Sequence, residues 1–260
     1  MTVLTLLAKV RGTGQIKLVE ELLKNEFENL EVDFKVSGAP VNRWVQVSIS
    51  GEDEVIATNY IKKEIGTCPI SQEKIEEHSA TKGYITKVDY SRNELTVDIG
   101  VFQPKTASAT ITLTTMRTQL ADGKKADFKK ICVAYGLQEN LPIEVKILEA
   151  SSSDEGHFQA ELSSAQIEKI REWQQSLLDR LIVLGATAVE IDEVVRRTRL
   201  ERDVIDVERL GLFEYSLTCK LGTDAAGLIS RMGRYMRNSV FVVFSPRRTA
   251  ELIGETPLAL

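Results

Sequence analysis

The sequence predicts an α+β protein of three small domains. These are an α/β sandwich over residues 1–79, a small β-barrel over 80–163 and a second α+β domain over 164–260. Three observations carry this reading. Residues 1–65 run strand, helix, strand, strand, helix. The stretch from Thr81 to Ser163 opens with two alternating strands, adds a third and a helical insert, and closes with two more strands. The remainder joins helices to a hairpin and one apolar run.

In the first domain Val3 to Lys9 reads as a strand and Gly12-Thr13-Gly14 as a turn. Ile16, Val19, Leu22, Leu23 and Phe27 then fall on one stripe of a helix. Val32, Phe34 and Val36 alternate with charged residues, and Val45, Val47 and Ile49 with polar ones. The short link from Ser37 to Asn42 makes these two an antiparallel hairpin. Glu52 to Ile65 is a second helix, which completes a ferredoxin-like order. A dinucleotide loop would need a third glycine where Lys17 stands, and a parallel crossover instead of a hairpin, so the glycine pair predicts a plain turn. A linker crosses Gly66 to Ser71 and the charged stretch Gln72 to Glu77.

In the second domain Lys82 to Asp89 and Glu94 to Gly100 flank the turn Ser91-Arg92-Asn93, with Thr96 and Asp98 facing outward. Val101 to Asn140 carries the third strand and the insert. Val145 to Leu148 and a strand ending at Leu162-Ser163 follow, separated by the polar loop Ser151 to Gly156. The third domain begins with a helix capped by Ser164, whose stripe Ile167, Ile170, Trp173, Leu177 and Leu181 keeps helical spacing. Ala188 to Arg197 is helical, Val204 to Arg209 pairs with Leu212 to Cys219, and Thr223 or Asp224 caps a helix from Ala225 to Met236. Ser239 to Phe244 reads as a central strand that Pro246 stops, and the tail from Thr249 has no period.

Gly83-Tyr84-Ile85, Val97-Asp98-Ile99-Gly100, Val145-Lys146-Ile147-Leu148 and Leu162-Ser163 resemble the OB-fold subclass named after the largest small-subunit ribosomal protein. The resemblance implies a five-stranded barrel of a type that often carries RNA. It departs from the pattern in the long segment Val101 to Asn140 and in the absence of an exposed aromatic on the second strand. The whole chain resembles an archaeal family known only as domain-of-unknown-function family 2110, on the stretches Val207 to Glu214 and Cys219 to Ile229. That resemblance implies an archaeal cytoplasmic protein and no particular activity. The domain order is also similar to that of exosome cap subunits and of the alpha subunit of the archaeal initiation factor that delivers initiator tRNA.

Composition narrows the partner class. The net charge is -5 with a pI near 5.4, which opposes strong nonspecific nucleic-acid binding by the chain as a whole. The charge is uneven: Met1 to Ser79 carries 9 basic and 13 acidic residues, whereas Lys220 to Ala250 carries six cations against Asp224 alone. No apolar run approaches the roughly 20 residues of a membrane span, and the N-terminus reads as a strand, not a signal peptide. Cys68, Cys132 and Cys219 are far apart and form no CxxC, which suits reduced thiols in the cytoplasm. His78 and His157 stand alone, so neither a Cys/His nucleophile nor a metal site is expected, and no cofactor is implied.

The basic residues carry the functional expectation. Lys124, Lys125, Lys129 and Lys130, with Lys87, Arg92 and Arg117, are candidates to line a nucleic-acid groove on the barrel, with Tyr84, Tyr90 and Phe102 for base stacking. Core packing is the competing reading for Tyr84 and Phe102. Arg231, Arg234 and Arg237 recur every third residue and would form a row on one helix, which Arg247 and Arg248 could join. A solvated face paired with Glu201 or Asp203 weighs equally. Arg196, Arg197 and Arg199 end another helix, where the helix dipole alone would explain them. The expectation is a non-catalytic RNA-binding accessory factor in translation, ribosome assembly, RNA processing or transcription. Its rival is a protein adaptor docking through the acidic N-terminal domain, and an enzyme of unrecognised type stands third.

Overall fold

A computed structural model describes residues 1–38, 43–150 and 156–254. Most of the predicted hairpin link, the polar loop after Ala150 and the last six residues lie outside the described residues. The chain divides into two compact units, Met1–Lys74 with Gly100–Thr106 and Ile75–Ile99 with Ala107–Leu260.

The first unit contains β1 (Thr2–Lys9), α1 (Thr13–Glu26), β2 (Val32–Ser37), β3 (Trp44–Gly51) and α2 (Glu54–Glu64). Its strands are antiparallel in the order β1-β3-β2, as the ferredoxin-like pattern predicts. The helices pack on this sheet and bury Val19 and Leu23 of α1 and Ala57 and Ile61 of α2. After α2 the chain returns to the outer edge of β1. Thr67 bridges Leu6 in antiparallel sense, and the Cys68 N–H donates to the Thr5 carbonyl at 2.9 Å. This is where a ferredoxin-like sheet would hold a fourth strand, here reduced to one bridge. β4 (Ile70–Ser71) then pairs in parallel with Val101 and Gln103.

The second unit opens with β5 (Ala80–Asp89), β6 (Glu94–Gln103, whose last residues belong to the first unit), β7 (Ala107–Thr112), α3 (Leu113–Leu120), α4 (Phe128–Ala134), β8 (Pro142–Ala150) and β9 (His157–Leu162). The strands pair in the ring β6-β5-β8-β9-β7 and back to β6, with β7 and β9 parallel. This is a closed five-stranded barrel. Gly83 is needed for it: a Cβ there would stand 2.4 Å from the Asp98 carbonyl oxygen. Asp98, expected to face outward, is buried. Tyr84 and Asp98 are direct partners across β5 and β6 and so share one face. The C-terminal part of the same unit covers that face at Tyr84.

The rest of the second unit consists of α5 (Ser164–Gln175), β10 (Arg180–Leu184), α6 (Ala188–Arg197), β11 (Val204–Arg209), β12 (Glu214–Cys219), α7 (Ala225–Met232), β13 (Val240–Phe244) and α8 (Pro246–Ile253). Its sheet is antiparallel in the order β11-β12-β10-β13. α6 and α7 cover one face through Ile191, Val194, Leu228 and Met232. On the other side, Trp173 of α5 meets Phe244 edge-on at 5.3 Å, and Tyr135 at the end of α4 lies 6.4 Å from the same ring.

Several expectations for this domain need correction. Ser163, not Ser164, caps α5, accepting from the Gln166 N–H at 3.0 Å. The helical stripe does not reach Leu181. Leu177 adopts φ 56° and breaks the helix, and Leu181 belongs to the interior strand β10. β13 is consequently an edge strand and not central. α7 stops at Met232, where Gly233 ends it, so Arg234 and Arg237 lie beyond the helix. Pro246 both ends β13 and begins α8, a helix absent from the predicted series.

Candidate nucleic-acid interface

The barrel candidates separate into stitched and free groups. Asp89 organises the β5–β6 turn by accepting from Ser91 N–H at 3.0 Å, Ser91 Oγ at 2.6 Å and Arg92 N–H at 3.1 Å. Lys87 Nζ closes on the same carboxylate at 2.6 Å. Lys87 first, then these donors, hold the Asp89 carboxyl far below the usual carboxylate range. A group depressed in this way stabilises the fold above the unfolded value near pH 3.9 and loses its contribution as pH falls below it. Asp89→Asn is therefore expected to melt lower than the native chain at pH 7, with the two curves converging as the buffer is taken below about pH 3. A constant gap at every pH would contradict this role.

Arg117 is half-buried and its Nε donates to the Ala126 carbonyl at 2.8 Å, so it holds the loop of the insert. Lys124 Nζ donates to the Ile253 carbonyl at the end of α8. Lys130 pairs with Asp127 at 3.7 Å on an exposed turn. Arg92, Lys125 and Lys129 are exposed, and among the described residues nothing engages their side-chain charges.

The three aromatics part company. Tyr84 is buried and its hydroxyl donates to Glu214 Oε2 at 3.1 Å, so it joins barrel to C-terminal sheet and cannot stack a base. Phe102 belongs to the first unit, where it lines a pocket of about 300 Å³ with Val3, Thr5, Trp44 and Ile70. Tyr90 alone remains available. It is 52% exposed and leans edge-on against Phe128, ring centres 5.8 Å apart, at the start of α4.

The arginine row is not a row. Arg231 turns inward: Nη1 meets Asp203 Oδ2 at 3.1 Å, and Nη2 donates to the carbonyls of Thr198 and Arg199. Those carbonyls end α6, so Arg231 is its C-terminal cap and a structural residue. Arg234 and Arg237 are exposed. Arg247 pairs with Glu251 one turn along α8 at 3.1 Å, and Arg248 is exposed with no partner among the described residues.

What the structure brings together could not be read from the chain. α4 packs against α8. Lys124 touches Ile253 at one end and Tyr135 lies near Phe244 at the other, so the two helices run antiparallel. The lysines of the barrel insert and the arginines of the last helix therefore sit on one helix pair. Lys125, Lys129, Lys130, Arg247 and Arg248 are all exposed on or beside this pair, with Asp127 and Glu251 each beside one cation.

Burial pushes the Cys132 and Cys219 thiols up to about 12, so both are protonated and weakly nucleophilic at neutral pH. Among the described residues no three His, Cys, Asp or Glu side chains converge as metal ligands. No described helix is long and apolar enough to cross a membrane.

Family models match along most of the chain. The DUF2110 N-terminal domain matches residues 4–71, the DUF2110 central domain 75–174 and the DUF2110 C-terminal domain 178–244. No curated protein matches. Among solved structures, the intact alpha subunit of aIF2 from Pyrococcus abyssi is similar at 10% identity and a TM-score of 0.26, covering 65% of this chain and 96% of that one. A protein from Thermus thermophilus is similar at 12% identity and a TM-score of 0.16, covering 98% of this chain and 43% of that one. These scores are too low to carry a fold or an activity across.

Proposed function

We propose that this chain, which belongs to the DUF2110 family, is a non-catalytic accessory factor that binds RNA or a ribonucleoprotein complex in the cytoplasm. The observation that supports this reading is the α4–α8 pair. In a protein of net charge -5, exposed cations from two separate sequence regions are carried by one packed helix pair, with few carboxylates beside them. A local excess of this kind favours a polyanion by phosphate neutralisation. Tyr90, partly exposed above Phe128 at the foot of α4, offers a base a stacking surface. The OB-like pairing order of the barrel agrees with this partner class, and three buried free cysteines agree with a reducing compartment.

The test is titration of labelled single-stranded RNA at two salt concentrations with Lys125→Glu, Lys129→Glu and Arg248→Glu combined. Lys124 and Arg117 are spared because they hold the fold. Affinity is expected to fall by more than about tenfold, the salt slope to become shallower by about two, and the melting temperature to stay put. Unchanged affinity and slope would remove the helix pair as the platform.

A second reading has its own support. α2 exposes Val55 and Ile56, at 69% and 55%, on the acidic first domain, a surface suited to a protein partner. Capture from native lysate with and without nuclease separates the two, since an adaptor keeps its partners after RNA is destroyed.

A further inference from the structure

We infer that the C-terminal domain holds a second site, centred on Tyr235, that grips the backbone phosphates of single-stranded RNA and stacks an unpaired base. This rests on the RNA reading above but on different residues. The last turn of α6 with the residues after it, and the turn after α7, make the site. Residues 196–202 and 231–237 together contain seven arginines and one carboxylate, Glu201. Arg231 fastens the turns to each other through Asp203 and the carbonyls of Thr198 and Arg199. Its role is to position the others.

Tyr235 is 41% exposed, so its ring is only partly claimed by the core. Arg197 Cζ lies 4.6 Å from the ring centre and Arg234 Cζ 6.0 Å. At 4.6 Å the guanidinium is in cation–π contact, which steadies it while its N–H groups remain available. Such a group can meet phosphate oxygens by a bidentate fork, and the outer face of the guanidinium that rests on Tyr235 offers a π surface to a base. A base can use that surface only when it is unpaired, which points to single-stranded RNA.

An arginine resting on a tyrosine is common surface packing, and alone it would carry nothing. The density of unopposed charge distinguishes this place. Among the described residues Arg197, Arg199, Arg202, Arg234 and Arg237 form no ion pair, although the chain as a whole is acidic. Arg197 and Arg234 share the Tyr235 ring, so their like charges repel one another, and a polyanion relieves the repulsion. The dipole of α6 accounts for cations in its last turn but not for Arg202, Arg234 or Arg237.

The experiment titrates 5′-labelled oligouridylate into the full chain at several salt concentrations. Arg197→Glu combined with Arg234→Glu is expected to weaken binding more than about tenfold and to lower the salt slope by between one and two. Tyr235→Ala is expected to weaken it about tenfold with the slope unchanged, and Tyr235→Phe to bind like the native chain. If the Glu pair lowers the melting temperature, Arg197→Gln with Arg234→Gln carries the same comparison. Native affinity and slope in both pairs, while the α4–α8 variant weakens, would overturn the second site and leave the first reading standing. Loss in the Tyr235 cluster with none in the α4–α8 variant would support the site and move the platform here. No RNA binding by the native chain overturns both. If polyglutamate displaces the label as well as unlabelled oligouridylate does, the cluster is a generic anion surface and base stacking is overturned.

Discussion

Gly83→Ala is expected to destabilise the fold by about 3 kcal/mol, at the upper end of what overpacking costs, and to lower the melting temperature by roughly 6–12 °C. The added Cβ would stand 2.4 Å from the Asp98 carbonyl oxygen and 2.9 Å from Val97 Cγ1. The nearest atom is backbone in the facing strand, so no side-chain rotation relieves the contact. β5 and β6 would have to separate, and in a closed ring that opening passes to every other strand pair. Gly227→Ala is the control. It lies inside α7 with nothing within 4 Å of its would-be Cβ. It should gain stability of about 0.5–1 kcal/mol from helix propensity and reduced freedom of the unfolded chain. Thermal unfolding of the two variants beside the native chain decides the matter. Equal melting temperatures for Gly83→Ala and the native protein would mean that the strands have slack there.

The same glycine shows why the barrel was legible in sequence. Gly83-Tyr84-Ile85 and Val97-Asp98-Ile99 were readable because close strand approach demands glycine and alternation demands period two. The β2–β3 hairpin was readable for the second reason. β10 was not. Its five residues follow a helix whose apolar spacing happens to continue to Leu181, and the break lies in a backbone torsion at Leu177 that no residue type announces. With β10 unread, the apolar run of β13 reads as a central strand, whereas it is the edge beside β10. α8 was hidden because Pro246, which opens it, reads equally as the stop of the preceding strand.

The candidate site divides along the same line. Charge is written in the sequence, but whether a charge is spent internally is decided by folding. Lys87, Arg117, Lys124 and Arg231 were indistinguishable from Lys125, Lys129 and Arg234 until carbonyls and carboxylates were placed beside them. Tyr84 alternates as a surface residue would, yet a second domain covers its face and Glu214 receives its hydroxyl. The three-residue spacing of Arg231, Arg234 and Arg237 suggested one helical face, and Gly233 ends the helix inside it. The meeting of α4 with α8, and of the α6 turn with the α7 turn, is tertiary and leaves no local mark.

Arg231→Met is expected to cost about 2 kcal/mol, whereas Arg234→Met should stay within about 0.5 kcal/mol of the native chain. Both remove one arginine from the same cluster, so the difference isolates what Arg231 does. Its guanidinium reaches Asp203 at 3.1 Å and the terminal carbonyls of α6 at Thr198 and Arg199. Methionine preserves much of the stem's packing and removes every donor, leaving a carboxylate and two carbonyls to find water. Hydrogen bonds to a charged group are worth roughly 1.5–3 kcal/mol each when enclosed. The side chains of Arg231 and Asp203 are 42% and 34% exposed, so water replaces part of that and the sum is cut to about 2 kcal/mol. The measurement is thermal unfolding, with a fall of roughly 4–8 °C for Arg231→Met. Arg231→Lys should recover only part of it, since one ammonium cannot reach three acceptors in the geometry of a planar fork. If Arg231→Met and Arg234→Met melt together, Arg231 does not cap α6, and the two arginine-bearing turns are held to each other by their buried neighbours alone.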